Sequence, residues 1–260
     1  MKRFAAVCLS LLLLVSAASA DPLLLDENDL AETVTVFYNG QDDSDGRYVY
    51  SCRYPCVLET DPEDLCAFCI NDYYGKKLQE YLDFYIPSQA QEYKSSYQNA
   101  DIEVTYEIKC NNDDFFSVLI RRKGDVGGTV YEILEGNTFS RSGERIGTLT
   151  SLPVMLGILK DGESDEWLRD RQYQNVWEAV CTLVWDAIQE NPGGIGYLPD
   201  LSKEDLESVI DPSFSLEQDF WMDETGNLVF FILPGRVAPA DAGLVTFTFT
   251  FTLEDLRDEL

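Results

Sequence analysis

Apolar and polar residues alternate most cleanly near the C-terminus, where Val245, Phe247, Phe249, Phe251 and Leu253 interleave with Thr246, Thr248, Thr250 and Thr252. A period of two sends the two sets to opposite faces of a strand, so one face is buried. Ile102, Val104, Tyr106 and Ile108 alternate in the same way with Glu103, Thr105, Glu107 and Lys109. A turn at 111–114 leads to a second strand at 115–121. The glycine-rich stretch 123–128 predicts a turn feeding a strand at 129–133, and 139–146 turns again at Ser142-Gly143. This order is an antiparallel meander. Residues 214–222 and 228–233, joined by a turn at 223–227, form a hairpin. Residues 48–58 read as extended, with Pro55 implying an edge or an interruption.

Two longer segments carry the helical period. Asp61-Pro62-Glu63-Asp64 supplies a capping carboxylate, a proline at the first helical position and acids in the first turn. Leu65, Phe68, Cys69, Tyr73, Leu78, Tyr81, Leu82 and Tyr85 then recur at helical spacing, and Pro87 is expected to end the run. A second helix starts near Ser164. Its stripe is Trp177, Val180, Cys181, Val184, Trp185 and Ile188, and Asn191-Pro192-Gly193-Gly194 stops it. Ser202 with Asp205 caps a short helix to Ile210. No repeat or linker interrupts the chain, so the expected class is α+β: antiparallel sheet with amphipathic helices packed on one face.

Residues 1–20 (MKRFAAVCLSLLLLVSAASA) have a positive start at Lys2 and Arg3, an apolar run, and Ala18-Ser19-Ala20 as a small-residue cleavage pattern. They read as a signal peptide removed after Ala20, too short in its apolar run for a membrane span. The expected destination is secretion or the cell envelope, with no span in the mature chain. Residues 21–46 form an acidic N-terminal segment. Cys8 leaves with the signal, inside the apolar run and away from any lipid-accepting position. Cys52, Cys56, Cys66, Cys69, Cys110 and Cys181 remain, an even set in an oxidising compartment. Proximity in sequence suggests pairing of Cys52 and Cys56 with Cys66 and Cys69, and of Cys110 with Cys181. Zinc on the first four is the alternative, disfavoured by the same compartment.

The chain carries 19 Lys and Arg against 47 Asp and Glu, and losing Lys2 and Arg3 takes the formal charge from −28 to −30. Such a surface repels nucleic acid and anionic polymers and attracts basic proteins or cations. Histidine is absent, which removes Ser-His-Asp and Cys-His catalysis and His-ligated zinc. A carboxylate pair remains able to hydrolyse glycans, though no pair stands out among so many acids. Asp42-Asp43-Ser44-Asp45-Gly46 and Asp161-Gly162-Glu163-Ser164-Asp165-Glu166 gather oxygen donors of the kind calcium takes, but neither completes an EF-hand. The metal question stays open, and no cofactor is expected. The aromatic residues of the first helix are a sugar or peptide platform or, at helical spacing, core.

Gly127-Gly128-Thr129-Val130-Tyr131, Asn137-Thr138-Phe139-Ser140, Ser142-Gly143-Glu144-Arg145 and Leu149-Thr150-Ser151-Leu152 resemble the middle of the paired DUF4163/DUF3298 domains. Asn227-Leu228-Val229-Phe230-Phe231 and Val237-Ala238-Pro239-Ala240-Asp241-Ala242-Gly243 are similar to that family's closing motif. The resemblance assigns 47–260 to such a domain, with a first part at 47–122 and a DUF3298-like part at 123–260. It implies an extracellular domain like those of RsiV-type anti-sigma factors and PdaC-type peptidoglycan deacetylases. The RsiV-type domain recognises lysozyme, a basic protein. Thr129-Val130 stand where the family often carries histidine, and no sigma-binding segment or deacetylase domain is found here. The expectation is therefore a non-catalytic envelope domain that binds a basic protein such as lysozyme or a cell-wall component. A carboxylate-dependent hydrolase of wall glycan is the alternative. The Arg257-Asp258-Glu259-Leu260 tail, similar to an ER-retention signal, is taken as coincidence.

Overall fold

Alternation over residues 100–140 produces three long antiparallel strands, β3 (Ala100–Asn111), β4 (Phe115–Val126) and β5 (Thr129–Ser140). The computed structural model describes residues 22–26, 29–39, 46–59, 65–141, 152–155, 166–191, 193–210, 215–216 and 218–249. The signal segment, the 61–64 helix start, the acidic runs at 42–45 and 161–165, the Ser142-Gly143 turn and the C-terminal tail lie outside these residues. Asn112 Oδ1 accepts from the amides of Asp114 and Phe115 and closes the first turn. The second turn is shorter than expected. Lys123, Gly124, Asp125 and Val126 belong to β4, and only Gly127 (φ 59°) and Gly128 (φ 84°) turn. Two successive left-handed residues match the right-handed twist of the flanking strands, which is why this pair is glycine.

Two further strands complete a five-stranded sheet in the order β1-β2-β3-β4-β5. β1 (Leu30–Phe37) comes from the acidic segment and pairs antiparallel with β2 (Arg47–Tyr54) along its length. β2 runs parallel to β3, a departure from the all-antiparallel expectation. The reason is the helical crossover between them, since parallel neighbours need a long connection over one face. β2 is interior, and Pro55 follows its last residue.

That crossover is α1 (Leu65–Glu80), a π-helical turn (Tyr81–Tyr85) and α2 (Ile86–Ser95). Pro87 was expected to end the helix; instead the helix passes through it. Pro87 sits in the first turn of α2, and the amide of Ile86 reaches back to the Tyr81 carbonyl in π spacing. The wider turn makes room where a proline ring would meet a preceding carbonyl, and proline's missing N–H falls where the register changes. The buried stripe of α1 is Cys66, Ala67, Ile70, Tyr74 and Leu78, rotated from the expected one, while Leu65 and Phe68 are exposed.

The second half builds a three-stranded sheet, β6 (Phe220–Met222), β7 (Leu228–Ile232) and β8 (Val245–Phe249), with α3 (Leu152–Met155), α4 (Glu166–Glu190) and α5 (Lys203–Ile210). All five β7 residues are buried because both faces are covered. Leu228, Phe230 and Ile232 join a core with Val176, Val180 and Val184 of α4, whereas Val229, Phe231 and Trp221 pack on Leu119 and Leu134 of the large sheet. The layers therefore run helix, sheet, sheet, helix, an α+β architecture. As read from the sequence, Ser202 Oγ accepts from the Asp205 amide to cap α5.

The sheets meet most closely at Gly136. Its amide donates to the Gln218 carbonyl at 2.6 Å, and a Cβ built there falls inside the Phe220 carbonyl. Backbone cannot yield as a side chain can, so Gly136→Ala is expected to destabilise the chain by about 3 kcal/mol or more, read by denaturant unfolding. An unchanged midpoint contradicts this packing. Asp219, 8% exposed, offers a second test. Burial raises its carboxyl from 3.8 to about 7, against the opposing hydrogen bond from the Ser215 amide. A carboxyl raised on folding stabilises fully below its unfolded value and loses that contribution as pH climbs through the folded one. Stability should therefore fall between pH 4 and 7, and Asp219→Asn should flatten that slope relative to wild type; parallel pH profiles refute the assignment.

Candidate functional site

Along β5 the residues facing α1 are Tyr131, Ile133, Glu135, Asn137 and Phe139, set opposite Gly124, Arg122, Ile120, Val118 and Phe116 of β4. The pattern is unusual for a face under a helix, because apolar positions alternate with Arg122, Glu135 and Asn137. Over this polar stretch α1 stands off the sheet. Its flank, with Asp72, Tyr73, Lys76, Lys77 and Glu80, and the sheet residues Ile120, Arg122, Ile133 and Glu135 enclose an open groove of about 730 Å³, with Gln218 from the segment before β6. That volume suits a small ligand or a few sugar units.

The π turn supplies the aromatic wall. Tyr81 and Tyr85 sit with ring centroids 4.9 Å apart, Tyr85 47% exposed at the rim and Ile133 exposed across from it. Tyr81 also stacks on Tyr50 of β2 at 5.8 Å. The Arg122 guanidinium lies 4.8 Å from the Tyr81 ring centre and donates through Nη2 to the Tyr81 hydroxyl. Its Nε is buried with no hydrogen-bond partner. Burial raises the Tyr81 phenol above its ordinary value, against the lowering effect of Arg122, so it stays protonated at neutral pH.

The floor is a fixed polar chain. Tyr73 OH donates to Asn137 Oδ1 at 2.9 Å, Asn137 Nδ2 donates to Glu135 Oε1 at 3.0 Å, and Lys77 Nζ pairs with the same Glu135 oxygen. Lys77 and Glu135 are each 14% exposed, so this pair is far less screened than Lys76–Asp72 at 2.6 Å on the outer flank. Cys69 lines the groove too. Burial and then Asp72 raise its thiol, with Lys76 opposing, so it is not an activated thiolate.

No family model and no curated protein matches the chain. Solved structures do. A DUF3298 family member from Bacteroides fragilis aligns over 88% of this chain and 92% of its own at 13% identity and a TM-score of 0.52. A DUF3298 family protein from Pseudomonas aeruginosa PAO1 aligns over 88% and 90% at 10% identity and a TM-score of 0.47. The fold resembles that of the DUF3298 family.

The motif residues behind the sequence resemblance serve mainly as structure. Gly127-Gly128 is the hairpin turn, with Val130 exposed beside it. Asn137, Thr138, Phe139 and Ser140 are all buried. Thr138 Oγ1 lies 2.8 Å from Ser117 Oγ, which accepts from the Met222 amide across the sheets. Val237 and Ala238 are buried under the three-stranded sheet's core, and the Val237 carbonyl accepts from the Leu198 amide. Among the described motif residues, only Asn137 also reaches the groove's hydrogen-bond chain.

The six cysteines divide between the two halves. Cys52 of β2 and Cys66 of α1 lie in the core under the first helices, with Cys56 and Cys69 half-buried. Cys110 of β3 and Cys181 of α4 both belong to the core of the second sheet. No pair stands at disulfide distance. Among the described residues no group of three or more Cys, Asp or Glu converges on a metal position, and no helix is long and apolar enough to cross a membrane. The acidic runs considered for calcium lie outside the described residues, apart from Gly46 and the backbone of Glu166. Sequence reasoning missed Arg122, Lys77 and Glu135. The signal was there: the basic run Arg121-Arg122-Lys123 in a strongly acidic chain, and Glu135 and Asn137 on an otherwise apolar period.

Proposed function

We propose that this chain is an exported, non-catalytic domain of the bacterial cell envelope that binds a wall glycan in the groove between α1 and strands β4 and β5. The observation that carries the reading is the pairing of an open aromatic wall, Tyr81 and Tyr85, with a pre-built polar floor, Glu135 and Lys77, which the buried Asn137 braces from beneath. Aromatic faces take the C–H faces of sugar rings, and a few fixed polar groups set their orientation. The groove's thiol and its inner phenol are both held protonated by burial, and histidine is absent, which favours binding over turnover. Export is supported by residues 1–20, and an envelope setting by the sequence resemblance to RsiV-type and PdaC-type domains. The basic-protein partner suggested by that resemblance fits the net charge but not this cation-bearing groove.

Removing the exposed ring tests the reading with little risk to folding. Tyr85→Ala is expected to weaken binding of soluble peptidoglycan fragments roughly tenfold in calorimetry while leaving the melting temperature within a few degrees. Retention of lysozyme but not of wall fragments, or cleavage of the fragments, would displace this function.

The same reading places the cysteines in an oxidising compartment, where Cys110 of β3 and Cys181 of α4, which share one core but do not stand at disulfide distance in this structure, are the pair expected to cross-link. Burial raises the Cys110 thiol to about 11, so a thiolate there is scarce and the bond is expected to form during folding rather than after it. Peptide mapping of material exported through an oxidising compartment should recover the 110–181 link. Two alkylatable thiols at these positions in such material rule it out.

A further inference from the structure

We infer that the groove selects glycans that carry a carboxylate, and that Arg122 is the residue that receives it; this rests on the glycan-binding function proposed above. The starting point is a charge without a counter-charge. Three cations line the groove. Lys76 is paired with Asp72 and Lys77 with Glu135, whereas Arg122 has no carboxylate partner among the described residues. In a chain of 47 acids and 19 bases, a largely enclosed arginine left unpaired is the opposite of what composition favours. Such a charge loses hydration without recovering it from an anion, a cost that structure alone does not explain.

The second observation is the state of its donors. The Nε–H is buried without an acceptor, and Nη2 donates to the Tyr81 hydroxyl. These two groups form one edge of the guanidinium fork. A hydroxyl offers that edge one neutral oxygen, where a carboxylate offers two charged ones in the matching parallel geometry. The Tyr81 ring belongs to the π turn that forms the aromatic wall, so a carboxylate replacing its hydroxyl stays beside the ring that holds the sugar. The nearby acids do not oppose this: Asp72 and Glu135 are neutralised by their lysines, and Glu80 is exposed to screening solvent. The ligand class is a pyranoside bearing a carboxylate, as on a lactyl ether or a uronic acid.

Calorimetry on the purified chain tests this with the β-1,4 disaccharide of N-acetylglucosamine and N-acetylmuramic acid, its carboxyl free or converted to the primary amide. The free acid should bind roughly tenfold more tightly, the scale of a charge-assisted fork. Arg122→Met should abolish the difference in affinity between the acid and the amide. Equal binding of acid and amide by the wild type overturns the carboxylate preference while leaving glycan binding standing. Binding of neither, nor of neutral chito-oligosaccharide, overturns the glycan function itself. Preference for N-acetyl-D-alanyl-D-alanine over both sugars reassigns the carboxylate to a peptide and refutes the inference. Should Arg122→Met fail to fold, the wild-type acid-to-amide ratio decides alone.

Discussion

Three tyrosine pairs hold the crossover helices to the sheet, and the groove exists because of where they hold them. β2 presents Tyr48, Tyr50 and Tyr54 on one face, all buried. Each stacks on a tyrosine from a different helical piece: Tyr54 on Tyr74 of α1 at 5.4 Å, Tyr50 on Tyr81 of the π turn at 5.8 Å, and Tyr48 on Tyr93 of α2 at 6.0 Å. Stacked aromatic pairs contribute about 0.5–1.5 kcal/mol each beyond the area they bury. The effect here is also geometric. The rings fix where the crossover sits over β2, and α1 reaches β5 where Tyr73 and Tyr74 meet Phe139, with the groove opening beside Lys77 and Tyr81.

The π turn is the adjustment that lets one helical crossover satisfy both demands. Pro87 needs its ring clear of the preceding carbonyl, and Ile86 and Ala90 must still face the core. One extra residue in the turn meets both conditions, and it brings Tyr81 and Tyr85 onto the same wall. The polar floor is the less economical part. A half-enclosed Lys77–Glu135 pair gives little net stability over apolar packing, and an unpaired Arg122 gives less. Groups retained where they do not stabilise are the ones to suspect of function.

Much of this was legible in the sequence. The alternation at 102–108 and 245–249 located strands, the Trp177 to Ile188 stripe located the buried face of α4, and Gly127-Gly128 located a hairpin. The parallel pairing of β2 was hidden because periodicity reports burial, not partners. Helix termination at Pro87 failed because proline breaks α spacing, and π spacing is another way to resolve the same clash. The aromatic residues of the first helix were offered as platform or core: Tyr74 is wholly buried, while Tyr85 is exposed at the groove. Arg122 escaped notice because the strand was ended at Arg121, which left it between the strand and the expected turn instead of on an inward face.

The central claim is that the groove between α1 and strands β4 and β5 is a ligand site. Backbone and side-chain NMR of the chain titrated with soluble peptidoglycan fragments tests it most directly. Shifts concentrated at Tyr81, Tyr85, Ile133 and the Arg122 Nε–H, saturating together, are what this account predicts. Saturable shifts confined to the outer face of β1 and β2 or to the three-stranded sheet, with these groove resonances unmoved, would contradict it.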